Sequence, residues 1–255
     1  MFRCILILAL LLSMPIMAQD VQRTHLRDAK HGVFDNDLLP AEFHAGRRQA
    51  LRHLLPQGSL AVFFANPVRN RSNDVDFEYH QDPDFYYLSG LREPNSVLLV
   101  ARDSFQVNGS WTNELLVLMD RDPAKELWNG HRMGVEGATD VLGVRQALTG
   151  LEFVRNGVDL GATDRVFVQR ITENLATDPH DPAGLAQLMA HFEQVIQDAP
   201  EGAEEQLGRW MASLREIKLP EEIDLLRKAI NITCEAQRTL MQQLEPDMTE
   251  YQTEA

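Results

Sequence analysis

Cysteine is nearly missing from this chain: Cys4 and Cys234 are the only two in 255 residues. Cys4 falls in an N-terminal leader, so once that is removed a single thiol is left. An intramolecular disulfide, a thiol-ligated zinc and a Cys-x-x-Cys redox pair are thereby excluded. Clusters of Lys and Arg are also missing, and 24 basic against 38 acidic residues give a formal net charge of −14. Such a field repels phosphate backbones and anionic lipid surfaces, which speaks against nucleic acid as a partner. The leading apolar run, Ile5 to Leu12, is well short of the ~20 residues that span a bilayer. The eight histidines include no His-Glu-x-x-His and no i, i+4 pair, so zinc-peptidase spacing is missing. They read as surface or capping residues. No Gly-x-Ser-x-Gly elbow surrounds Ser59 or Ser89, and no glycine-rich phosphate loop occurs.

What is present begins with a leader. One positive charge at Arg3, the short apolar run, Pro15 and the small Ala18 before Gln19-Asp20 predict a secretory signal over residues 1–18. Cleavage after Ala18 takes the net charge from −14 to −15 and places the product in the periplasm or outside the cell, with no membrane attachment. Residues 19–37 are polar and unpatterned and read as a flexible leader. A disulfide-free exported chain must rely on its core, and 44% apolar residues can supply one. That combination suits a bacterial periplasmic enzyme.

Pro40 to Leu55 carries Phe43, Ala50, Leu51, Leu54 and Leu55 at mostly helical spacing, ended by Pro56-Gln57-Gly58. Leu60–Ala65, Val97–Ala101 and Leu115–Met119 are apolar runs bounded by turn residues. They predict strands buried on both faces, with Val166-Phe167-Val168 a weaker fourth. Asp82-Pro83 predicts a capped short helix whose aromatics pack under the sheet. Asp181-Pro182 predicts a cap for a helix through Ile196. Strands interspersed with helices give an α/β domain over residues 38–198. The small, acidic stretch Asp198 to Glu205 predicts a linker, placed at residues 199–213. From Pro220 a long helix follows, with Ile223, Leu226, Ile230, Ala236, Leu240, Met241 and Leu244 as its buried side. One helix and a stub cannot bury their own apolar faces, so residues 214–255 read as an unfinished fold unit.

Several segments, in order, resemble the N-terminal domain of the Xaa-Pro aminopeptidases (aminopeptidase P), of the pita-bread metallopeptidase group. They are Gly58-Ser59-Leu60-Ala61-Val62-Phe63-Phe64-Ala65, Arg71-Ser72-Asn73-Asp74, the run Tyr79 to Gly90, Glu93-Pro94-Asn95-Ser96-Val97-Leu98, Glu126-Leu127-Trp128-Asn129-Gly130, and Leu214 to Ile223. The resemblance runs from about Phe43 to Ala255. It implies a ribonuclease H-like, six-stranded mixed sheet with flanking helices, followed by an incomplete pita-bread domain. It also implies a complete enzyme that removes the residue before a proline in second position, using two divalent metal ions, usually manganese. The family's metal ligands, two Asp, one His and two Glu, would fall beyond Ala255. A chain of this extent is then expected to hold no metal site and to be inactive alone, serving to position substrate and build a homo-oligomer.

Two residues are singled out as substrate-binding, Asp74 and Trp128. On the residues alone, Asp74 in its turn-rich stretch reads as a cap for backbone N–H groups, and Trp128 as a partly buried packing anchor on a loop. The resemblance implies otherwise. It puts Asp74 on the face turned toward an active site, where it could meet the positive N-terminus of a peptide, and Trp128 on a loop reaching a neighbouring subunit's site. A non-catalytic binding or assembly protein of the same architecture stays open as an alternative, as does a dipeptidase.

Overall fold

The protein is described from a computed structural model, which covers residues 38–156, 158–160, 163–171, 175, 181–196 and 201–254. The predicted signal and leader lie outside these residues. The Val- and Leu-rich runs become strands because branched and apolar side chains suit a pleated surface covered on both faces. Ser59–Phe64 (β1) is buried throughout, as is the first half of Val97–Val107 (β4). With Ser110–Leu118 (β5), Ala147–Thr149 (β6) and Arg165–Gln169 (β7) they form a mixed sheet in the order β6-β5-β4-β1-β7. Only the outer pairs, β5–β6 and β1–β7, are parallel. Among the described residues the main sheet has five strands, not six: the sixth position beside β7 shrinks to one bridge, Val166 to Glu201. A separate hairpin, Asn70–Ser72 (β2) and Val75–Asp76 (β3), stands apart from it.

Alternate residues of each strand face two cores. Ala61, Phe63, Leu98, Val100, Leu116 and Phe167 meet Ala41–Leu54 (α1), Pro83–Ser89 (α2), Gly134–Asp140 (α4) and Glu204–Glu216 (α7). Leu60, Val62, Phe64, Leu99, Leu115 and Val117 meet Phe153 of Gly150–Asn156 (α5) and Leu188 and Phe192 of Leu185–Val195 (α6). Helices on both faces of a mixed sheet give the expected α/β class.

Several expectations are corrected by the packing. Residues 204–213, expected within a linker, lie in α7, whose Leu207 and Met211 are buried and whose Trp210 ring meets Phe167 edge-on at 4.9 Å. Acidic residues at its start hid an amphipathic helix, because they sit in its first turn. The helix expected from Asp181-Pro182 starts at Leu185, and its first N–H donates to Asn95 Oδ1 at 3.1 Å. The cap comes from another loop and not from the adjacent aspartate. In α1 the buried residues are Phe43, His44, Arg48 and Leu51, followed by Leu55 just past its end, while Leu54 is exposed. Pro220–Gln243 (α8) has the expected start, with Glu222 accepting the Leu219 N–H at 2.9 Å. Its apolar stripe is not buried, however: none of its residues is covered among the described ones. The remaining short helices are Pro123–Asn129 (α3) and Glu250–Glu254 (α9).

Arg48 is fully buried and is the polar centre of the first core. Its guanidinium donates to both Glu114 carboxylate oxygens (3.1 and 3.2 Å), to the Leu88 carbonyl at 2.9 Å and to the Gly143 carbonyl at 3.0 Å. Arg52 adds a third bond to Glu114 at 2.7 Å. Burial pushes the Glu114 carboxyl up, but the Arg48 charge and these hydrogen bonds outweigh it and hold it below the usual range. Beside it, His44 Nδ1 donates to the Tyr87 carbonyl at 3.0 Å, and the ring lies against Gly90, where φ is +74° and any Cβ would collide. Burial lowers the His44 pKa, the Tyr87 carbonyl opposes that shift, and the Arg48 charge adds to it.

Removing one partner of a buried pair strands the other, so Glu114→Ala is expected to cost about 3–5 kcal/mol in urea unfolding. The pH dependence follows from both lowered pKa values. His44 supplies stability that is complete above its unfolded value of 6.5 and is lost as pH falls through its folded one. Glu114 does the same below 4.5. Urea midpoints are therefore expected to fall between pH 7.5 and 5, and His44→Gln to flatten that slope; an unchanged slope would refute the His44 assignment.

Candidate functional site

Register places the candidate residues. Phe64 pairs with Val97, Val97 with Val117, Leu118 with Thr149 and Phe63 with Gln169. The carboxyl ends of β1, β5, β6 and β7 therefore share one end of the sheet, where an α/β sheet commonly carries its ligand-binding loops. From β1 departs the β2–β3 hairpin with Asp74 in its turn. From β5 departs α3 with Trp128.

The hairpin turn holds Asn73 at φ +51°, a left-handed conformation that Asn tolerates. Asn70 Nδ2 closes it, donating to the Asn73 and Val75 carbonyls and to Asp76 Oδ1 at 3.0 to 3.2 Å. Asp74 is exposed and its carboxylate makes no hydrogen bond among the described residues, so the capping of backbone N–H groups expected of it is corrected. Its charge is free for a ligand. Below the turn, Arg71 lies over the Phe77 ring at 5.9 Å. The root is fixed by Gln81, whose Oε1 accepts from Asn66 N (3.0 Å) and Tyr79 OH (2.9 Å).

Trp128 lies in a helix, not a loop. Asp122 accepts the Ala124 and Lys125 N–H groups and Pro123 occupies the first helical position, the same device as Asp82-Pro83 in α2. Neither side chain at its outer edge packs inward: Leu127 is 85% and Trp128 89% exposed. The packing anchor expected from the residues alone is thus corrected. Arg121 clamps the helix through a two-pronged pair with Glu126 (2.5 and 2.8 Å), and that hydrogen bonding holds the Glu126 carboxyl below its usual range. The excursion closes on itself at its base. Arg132 Nη1 donates to the Asp120 carbonyl at 3.3 Å, and the Arg121 side chain lies where Gly134, at φ +65°, has no Cβ.

Asp74 and Trp128 thus share a sheet end on separate carriers, each exposed, and no hydrogen bond or ring contact joins them among the described residues. Sequence reasoning missed Gln81 and Glu93, which tie the roots of the two carriers. Their signal was a polar side chain one or two residues before a Pro, Glu93 before Pro94 and Gln81 before Asp82-Pro83. Among the described residues no group of three or more His, Cys, Asp or Glu could hold a metal ion.

Aminopeptidase P, N-terminal domain, is the family that matches residues 44–156. This chain contains an aminopeptidase P N-terminal domain. Xaa-Pro aminopeptidase of Escherichia coli strain K12 is 31% identical over 221 residues, which are 82% of this chain and 46% of that protein. The solved aminopeptidase P from E. coli with the inhibitor Pro-Leu superposes with a TM-score of 0.66 at 28% identity, over 85% of this chain and 48% of that one. A zinc-substituted form of the E. coli enzyme in complex with product gives 0.64 at 27% identity, over the same shares of the two chains. The chain spans about half the length of the curated relatives it matches.

Gly134→Ala would put a Cβ 2.7 Å from Arg121 Cγ at a left-handed φ. The expected outcome is an opened base, read as faster tryptic cleavage at Arg121, Lys125 and Arg132 with core strands still protected.

Proposed function

We propose that this chain is the N-terminal, substrate-positioning and subunit-contacting portion of an exported, metal-dependent Xaa-Pro aminopeptidase. The observation that carries the reading is the pairing, at one sheet end, of an unpartnered carboxylate and a solvent-facing Leu-Trp pair on a braced helix. A dissolved peptide with proline second offers a positive N-terminus and an apolar, conformationally stiff ring. Asp74 suits the first through a charge-assisted hydrogen bond. Trp128 suits the second through its indole face, with a homo-oligomer bringing it to a neighbouring subunit's site.

In this reading two divalent ions, manganese foremost, are held by residues of the enzyme other than those described, and would acidify the attacking water. The residues described here bind and orient. Export rests on the predicted signal at residues 1–18; no helix among the described residues is long and apolar enough to cross a membrane.

The test uses the enzyme of which this domain is part. Truncating an aromatic hot spot costs about 2 kcal/mol or more, so Trp128→Ala is expected to raise KM for an Xaa-Pro peptide roughly thirtyfold. Asp74→Asn is expected to raise it about tenfold by weakening a charged hydrogen bond. Wild-type KM in both variants would refute the assignment. The 255-residue chain itself is expected to show no turnover with manganese added; measurable hydrolysis would overturn that part.

A further inference from the structure

Glu93 has no place in the contacts just proposed, yet it occupies the joint between their two carriers. We infer that Glu93 is a positioning residue that sets the direction of the Leu127–Trp128 arm relative to the sheet. The inference rests on the reading of Trp128 as a contact residue.

Three observations carry it. First, Glu93 Oε1 accepts the backbone N–H of Met133 at 2.5 Å, where the arm returns to the domain. The Arg121, Glu126 and Arg132 contacts join parts of the arm to one another, whereas the Glu93 contact ties the arm's root to the loop before β4. Second, that loop is held in turn: Gln81 Nε2 donates to the Glu93 carbonyl at 2.9 Å and to the Leu91 carbonyl at 3.3 Å. Because Gln81 also grips Asn66 and Tyr79, the chain Asn66–Gln81–Glu93–Met133 runs from the root of the Asp74 hairpin to the root of the Trp128 arm.

Third, Glu93 is a poor choice for stability alone. Its Oε2 is buried with no hydrogen-bond partner among the described residues, and so is Arg132 Nε beside it in the arm. Burial pushes the Glu93 carboxyl up; the Met133 N–H and the Arg132 charge oppose that shift only in part. A half-satisfied carboxylate opposes folding, and such sites concentrate where geometry matters more than stability.

The experiment compares Glu93→Ala and Glu93→Gln by amide hydrogen exchange on the 255-residue chain. Loss of a charged hydrogen bond predicts about tenfold or greater faster exchange over residues 120–133 in the Ala variant, with β1 and β4 unchanged. Glutamine keeps a carbonyl acceptor for Met133 and is expected to restore protection to within about twofold of wild type. An unchanged arm in the Ala variant, an equal loss of protection across the sheet, or a Gln variant as loose as the Ala variant each overturns the inference. The readout involves no peptide, so a Trp128→Ala enzyme with unaltered KM would defeat the functional reading while leaving the exchange result to stand or fall by itself.

Discussion

The Arg48–Glu114 pair is the constraint from which the rest of the domain takes its geometry. A guanidinium with no solvent exposure survives only if its donors are met, and here those of Arg48 on α1 are met by three separate pieces of chain: β5 through Glu114, α2 through Leu88 and the α4–β6 loop through Gly143. Apolar contacts alone would let these elements slide; five directed bonds at one point do not. The consequence reaches the sheet end. α2 is fixed at Leu88, so its N-terminal cap at Asp82 and the adjoining Gln81 are fixed, and with them the hairpin root. β5 is fixed at Glu114, so the departure of the Trp128 arm after Leu118 is fixed too.

The parts of the fold legible in the sequence were those governed by one local rule. Val- and Leu-rich runs between turn residues gave β1, β4 and β5, and Asp82-Pro83 gave α2 with its cap. What escaped reading depended on partners distant in the chain. Arg48 sits at inward helical spacing with His44, Leu51 and Leu55, but a charged residue at such a position is interpretable only once Glu114, 66 residues later, is seen to face it. Asn95 capping α6 across 90 residues is the same case. The stretch opening α7 looked like a linker because its acids and glycine were read as punctuation. In the fold Glu204 and Glu205 are the first turn of a helix whose Leu207 and Met211 fill the core.

The site divides similarly. Asp74 and Trp128 could be named from motif segments, yet their environments could not, since exposure is a statement about everything that fails to pack against a residue. The end of α7 shows how tertiary contacts also fix the path of the chain. Tyr87 OH donates to the Leu214 carbonyl at 2.8 Å and Arg215 pairs with Asp84 at 2.6 Å, so α2 clasps the segment that turns into α8. The long helix thus leaves the domain in a set direction while presenting Ile223, Leu226 and Ile230 uncovered. Its apolar stripe has the periodicity of a core face, which is why its residues read as buried, and periodicity by itself does not supply the opposing surface.

The exposure of Leu127 and Trp128 is best understood against the bracing beneath them. A large apolar side chain left in water forgoes about 1.5–3 kcal/mol of burial, so a helix that turns two of them outward gains nothing for its own folding. A free loop could then collapse and bury them. The Asp122 cap, the Arg121–Glu126 pair, the Arg132 contact at the base and the Glu93 tie all oppose that collapse. Ordering these groups before a ligand arrives moves an entropic cost from binding to folding, which is how preorganised contact surfaces gain affinity. On the Asp74 hairpin the same logic takes a smaller form: the Asn70 amide donates to the Asn73 and Val75 carbonyls and so braces the turn that carries the exposed carboxylate.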